Sequence, residues 1–248
     1  MPIFDILGCR CFALSTYIMP TPSSVSTEGL VKKTLADRLH AQIMKGALPP
    51  GARIIEGKWA QQFGVAQGTI REAINILEKD GFVTKESGRS ARVVNLTEKD
   101  VVELYQMRNA VEGLAANLAA FAQPDFSHLQ SRVDGMRKAA KAKNAGGMLD
   151  CDLQFHLELC RLSGNKHLFD YAQRMLTPFF AFVRLRMTAG GRGTSVWDKD
   201  LESHQRIVDL LRDGEGDVAE QYVKKAMLRF AKTAYDNWVA HEKSLRAK

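Results

Sequence analysis

Apolar positions fall into two rhythms along this chain. In "LVKKTLADRLHAQIMKGALPPG", Leu30, Leu35, Leu39 and Ile43 lie near one helical face, which predicts an amphipathic helix. "GALPPG" ends it, because proline cannot continue a helix and glycine frees the turn. "EGKWAQQFG" predicts a short second helix closed by Gly64, and "QGTIREAINILEKDG" a third with Ile70, Ile74 and Leu77 inward and Gly81 at its end. "FVTKESGRSARVV" then alternates around "SGRS", the pattern of a β-hairpin with a glycine turn. Three helices and a hairpin in this order predict a winged helix-turn-helix. Its turn is "GVAQGT", where short polar residues let the third helix start with its N-terminus outward. That end offers unpaired backbone N–H groups to phosphates, and its first side chains reach base edges.

Beyond "NLTEKD" the rhythm is helical throughout, with no strand signal. Thr97 followed by Asp100 has the form of a capping box opening a helix through Phe121. Five further amphipathic stretches follow, broken at Pro124, Gly146-Gly147, Gly164, Gly190-Gly191 and Gly214 to Gly216. The fold class expected is mainly α: an N-terminal winged helix-turn-helix over 29–96, then an all-α antiparallel bundle over 97–243. Residues 1–28 stand apart. Asp5 and Arg10 interrupt their apolar stretch and a Pro/Ser/Thr-rich run follows, so they read as a disordered tail or a mis-assigned start with Met19 the true beginning.

Composition narrows the function. The chain of 248 residues carries a net charge of +7 and a pI near 9.3, which favours an acidic partner such as nucleic acid. Cys9, Cys11, Cys151 and Cys160 form no CxxC pair, which fits a reducing cytoplasm. No run of eighteen apolar residues occurs, which argues against a membrane span.

The stretch from "LADRLHAQIMKGALPPG" to "REAINILEKDGFV" resembles the GntR family of bacterial regulators: the Leu-Pro-Pro-Gly turn, the Gly-Val before the reading helix, the "REA" triplet and "L-x-x-D-G-F-V" occur in order. Downstream, "YQMRNAVEGLAANLAA" and "DLQFHLELCRLSGNKHL" resemble the FCD-type effector domain of its FadR-like branch. The resemblance spans Leu30 to Ala240. It implies a homodimeric, cytoplasmic, non-enzymatic transcription regulator that binds a palindromic double-stranded operator and is controlled by a small organic-acid effector, with repression relieved by ligand.

For DNA binding, Arg71 on the third helix reaches a phosphate or a guanine edge, or else pairs with Glu56 or Glu72 to hold the module. Gln67 and Thr69 lie at the helix entry, as base readers or caps. Lys58 stands on the second helix, and Gly88 and Arg89 form the wing tip, which approaches the minor groove or is a solvated turn. The chain departs from the family at two places. Ala66-Gln67-Gly68-Thr69 replaces a common Ser-Arg-Thr-Pro, exchanging a guanine reader for an amide that prefers adenine. Gly57 stands where some relatives carry an arginine.

In the bundle, Asp152 and His156 are spaced i,i+4 on one helical face, and His204 lies on a later helix. The resemblance implies a divalent metal held by an aspartate and three histidines. Carboxylate and imidazole ligands suit zinc, nickel or manganese. The position for the third histidine is Ala226, so three ligands hold a metal with water or an effector completing the shell, or the site is a polar pocket without metal. Arg108 and Glu112, one turn apart, read as effector contacts beside His156 and His204, or as a helical ion pair. His40, His128, His167 and His241 read as surface residues, and "LTPFFAFVRLRM" as bundle core and dimer contact. Two rival functions are a metal-dependent hydrolase using Asp152, His156 and His204, and a DNA-binding dimer with no effector.

Overall fold

A computed structural model describes residues 27–85, 90–190 and 197–229. Three helices come first among the described residues: α1 (Thr27–Met44), α2 (Glu56–Phe63) and α3 (Gln67–Lys79). Strands β1 (Val83–Thr84) and β2 (Arg92–Val93) follow, antiparallel with Val83 opposite Val93. The apolar stripes converge as their spacing requires. Leu39 of α1, Ile70 and Ile74 of α3 and Ile54 between α1 and α2 are fully buried together with Val83 and Val93. The Pro-Pro-Gly turn joins the wing as well as ending α1. Gly51 donates its N–H to the Val93 carbonyl, and Ile54 and Val93 continue the ladder through Ala91 and Ala52.

Six helical segments follow among the described residues: α4 (Glu98–Ala122), α5 (Ser127–Lys141), α6 (Ala145–Leu162), α7 (Lys166–Gly190), α8 (Trp197–Arg212) and α9 (216–229). The capping box forms. Thr97 Oγ1 accepts from the Asp100 N–H at 3.2 Å, and Asp100 Oδ2 accepts from the Thr97 N–H at 2.7 Å. α6 packs against α4, α5 and α7, and α4 also meets α7 and α8. α9 lies along α4, held by Asn109 donating to the Lys224 carbonyl and Asn117 to Asp217.

One expected break is displaced. Gly146 and Gly147 lie in the first turn of α6, and the chain turns instead at Lys143, whose φ is +51°, and Asn144. Asn144 caps the helix by accepting from the Gly147 N–H, so the glycine pair gives room for a cap rather than a gap. Pro178 sits inside α7 without ending it. Among the described residues no helix is long and apolar enough to cross a membrane.

The two parts touch at Gly81. Its φ is +80°, and a Cβ there would lie 2.7 Å from the backbone of Thr177 and Pro178 in α7. Only glycine satisfies both conditions. His40 belongs to the same junction. Its ring stands edge-on to Phe82 at 4.4 Å, and its Nε2 is buried, so the expectation of a surface histidine is corrected. Burial, with the Arg184 charge, pulls its pKa below the ordinary imidazole value.

Candidate functional site: an outward helix face and a buried histidine cluster

The helix that would read DNA is amphipathic in the simplest way. Ile70, Ala73, Ile74 and Leu77 are buried, while Gln67, Gly68, Arg71, Glu72 and Asn75 are exposed. Its N-cap, Ala66, has an extended backbone and no side-chain cap, so no capping side chain occupies the first N–H groups of α3. Thr69 lies half-buried within the helix and does not cap it.

Arg71 pairs with Glu56 of α2. Its Nη2 donates to Oε2 at 2.8 Å and its Nε to the same carboxylate at 3.1 Å. The arginine is well exposed, and Nη1 takes no part in the pair. Glu56 therefore orients the guanidinium without enclosing it. Lys58 is exposed on α2, while Gly88 and Arg89 lie outside the described residues.

The two family departures meet in space. A Cβ on Gly57 would lie 3.1 Å from Gln67 Nε2, so the glycine leaves the room that the Gln67 amide occupies. Ten residues separate them in sequence, with no period to connect them.

The second constellation is internal. Arg108, Glu112, His156 and His204 are each at most 4% exposed. Asp152 Oδ1 lies 3.1 Å from His156 Nε2 and 3.1 Å from His204 Nε2, and the two Nε2 atoms are 3.4 Å apart. α6 supplies the aspartate and first histidine one turn apart, and α8 brings the second across from it.

The outer nitrogens decide what these atoms present. His204 Nδ1 is 2.6 Å from the Asp200 carbonyl, which can only accept, so Nδ1 carries the proton and Nε2 the lone pair. His156 Nδ1 lies 2.5 Å from Glu112 Oε2. Two lone pairs cannot face each other at that distance, so Nδ1 again carries the proton. Asp152 Oδ1 is buried and receives no aligned hydrogen bond. Three acceptor atoms thus converge on one point, which a cation or an added proton must relieve.

A metal with bonds of about 2.1 Å separates its ligand atoms by roughly 3.0 Å at right angles and 3.4 Å in a tetrahedron. The observed spacings fit that range, and one aspartate with two imidazoles suits zinc, nickel or manganese. Among the described residues no fourth ligand joins the three. Ala226, where a further histidine was sought, is 1% exposed and offers only a methyl group.

Charge around the cluster is interlocked. Burial alone would raise the Glu112 carboxyl, but the Arg108 guanidinium and His156 outweigh it and hold it at about 2. Arg108 donates through Nε to Glu112 Oε1 at 2.6 Å, so the helical ion pair is present, and buried. Its guanidinium lies 5.2 to 5.4 Å from the rings of Tyr105, Phe179 and Phe180. The run "LTPFFAFVRLRM" therefore furnishes walls of the polar cluster as well as core, since Phe180 also lies 6.0 Å from the His156 ring. Sequence reasoning missed this because the partners stand on separate helices. The one signal was the aromatic pair directly after Pro178. Buried Cys160 takes no part; burial pushes its thiol pKa up and leaves it unreactive.

Comparisons with known proteins now bear on these features. Residues 31–93 match the model described as bacterial regulatory proteins, gntR family, and residues 103–229 match the FCD domain. A Bacillus subtilis protein, the uncharacterized HTH-type transcriptional regulator YdhC, is 30% identical over 75% of this chain and 83% of its own length. A probable D-xylose utilization operon transcriptional repressor from Paenarthrobacter nicotinovorans is 31% identical, covering 82% of this chain and 88% of its own. Among solved structures, a putative transcriptional regulator GntR from Rhodococcus sp. RHA1 aligns with a TM-score of 0.62 at 26% identity, over 82% of this chain and 96% of that one.

Proposed function

From the premise that the chain belongs to the GntR family of transcriptional regulators and carries an FCD effector domain, we propose that it is a homodimeric cytoplasmic repressor. It binds a palindromic operator through α3 and is released by a small carboxylate bound beside a divalent metal. The observation that carries the ligand half is the convergence of Asp152 Oδ1, His156 Nε2 and His204 Nε2, three acceptors on one buried point. Three protein ligands leave coordination positions for water or an effector oxygen. When bound, the metal would supply a Lewis-acidic anchor for an effector carboxylate.

The chain's own residues do the rest. Asp152, His156 and His204 hold the metal, and Glu112 and Arg108 back them from behind. Arg108, ringed by Tyr105, Phe179 and Phe180, adds positive charge to the same interior, which favours an anionic effector. On the DNA side, Arg71, presented by Glu56, contacts phosphate or guanine, while Gln67 and Thr69 stand at the helix entry and Lys58 beside it. Gly88 and Arg89 at the wing are assigned to the minor groove on the resemblance alone. Dimerisation is supported by Met107, Leu114 and Phe121 of α4, which recur every seven residues and are 41%, 45% and 90% exposed.

The hydrolase alternative is not favoured: the relatives above are transcription regulators, and Glu112, the carboxylate nearest the cluster, is already committed to Arg108 and His156. A bundle without an effector would call for an apolar interior, and the buried Arg108, Glu112, His156 and His204 argue against one.

Selection from random double-stranded DNA tests the reading, with native mass spectrometry of the same protein. An inverted repeat and a dimer with about one metal mass per subunit are expected. Failure to enrich any sequence, or a metal-free monomer, contradicts it.

A further inference from the structure

Coordination by His156 demands a lone pair on Nε2, and nothing on α6 arranges that. We propose that Glu112, oriented by Arg108, sets the tautomer of His156 and is a positioning residue for the metal ligands. This deepens the reading above and rests on it for the identity of the bound ion. It also moves Glu112 from the effector contacts to the support behind the cluster.

The argument runs along a buried chain from α4 to α6. Arg108 Nε donates to Glu112 Oε1 at 2.6 Å, and Glu112 Oε2 lies 2.5 Å from His156 Nδ1. Both atoms are buried, and neither makes an aligned hydrogen bond to any group, so what joins them is their close approach. Arginine can only donate, so it keeps an acceptor in front of its own N–H and leaves the second carboxylate oxygen facing the imidazole. That oxygen takes the single proton of neutral His156 at Nδ1, and the lone pair at Nε2 turns to Asp152. His204 reaches the same state by another route, through the Asp200 main-chain carbonyl. One histidine is set by the backbone, the other by a side chain that substitution can change.

The substitution Glu112→Gln separates positioning from packing because its shape is nearly the same. The amide has one accepting and one donating end. Arg108 must capture the oxygen, so the NH₂ group faces His156 Nδ1 and donates to it. The imidazole proton then sits on Nε2, pointing at Asp152. Arg108 and His156 each keep a hydrogen-bonding partner, while the carboxylate charge opposite Arg108 and a ligand lone pair are both lost.

The test uses the full-length protein and zinc alone as probe. Zinc affinity is measured by competition with a chromophoric chelator. The His156 tautomer is read in metal-free protein from long-range proton–nitrogen NMR at about pH 9, where imidazole is neutral. The wild type should show the Nδ1–H pattern and bind zinc. Glu112→Gln should show the Nε2–H pattern and bind zinc ~10–100-fold more weakly, with a cooperative unfolding transition retained and an unchanged His204 pattern. Glu112→Asp, which keeps the carboxylate, should retain the Nδ1–H pattern. An unaltered His156 pattern in Glu112→Gln, or zinc binding equal to wild type, overturns the proposal. A tautomer switch in a protein that never binds zinc upholds the role of Glu112 and instead overturns the metal reading.

Discussion

The DNA-facing head and the helical bundle handle polar groups in opposite ways. In the head, an apolar core built on Leu39, Ile54, Ile70 and Ile74 supports a surface of polar side chains whose pairings, such as Arg71 with Glu56, lie open to solvent. In the bundle, Arg108, Glu112, His156 and His204 are buried with Asp152 beside them, and each lies at contact distance from the next. Specificity in the head can therefore change residue by residue at little cost in stability. The bundle cluster behaves as a unit, in which removing one member strands another in a low-dielectric interior.

Substitutions can break or sharpen this contrast. The largest stability effect belongs to Glu112→Ala, which leaves Arg108 buried and uncompensated. Denaturant unfolding should register a loss of about 3–5 kcal/mol, and a loss under about 1 kcal/mol would mean that the bundle is no more interlocked than the head. Next comes Gly81→Ala at the junction. The added Cβ meets main-chain atoms 2.7 Å away at a φ of +80°, and neither side can swing clear. Left-handed strain plus overpacking gives about 2–4 kcal/mol by the same assay; a neutral result would show that the contact yields easily.

Arg71→Ala should leave the melting temperature unchanged while weakening operator binding by about two orders of magnitude in fluorescence anisotropy. Full affinity would remove α3 from the DNA interface. The smallest change is Gln67→Arg, neutral for folding but shifting base preference towards guanine at one operator position in a binding-site selection. An unshifted profile would mean that Gln67 reads no base.

The same contrast governs what could be read from sequence. Each helix of the head declares its buried face by local spacing, and the Thr97–Asp100 cap is three residues long, so both are visible in one stretch of chain. The Asp152–His156 pair is equally local. Glu112 and His156 are not: a carboxylate on α4 and an imidazole on α6 meet only after folding, so Glu112 read as an effector contact or a helix pair. Gly57 and Gln67 appeared as two unrelated departures, although one makes space for the other. His40 looked like any polar residue on an amphipathic helix, because its burial comes from Phe82 and the adjoining bundle. The glycine pair at 146–147 misled for a different reason: glycine marks a chain break and a roomy first helical turn with the same letter.

The bare backbone at Gly81 has a mechanical consequence. α3 is thirteen residues long, about 20 Å from its Gly81 end to Gln67. Its inner end rests on Thr177 and Pro178, and the next two residues, Phe179 and Phe180, rest on Arg108. The head is thus a lever whose fulcrum adjoins the ligand cluster. A tilt of about 10° there swings the tip of α3 through roughly 3.5 Å, about the rise of one base pair along DNA.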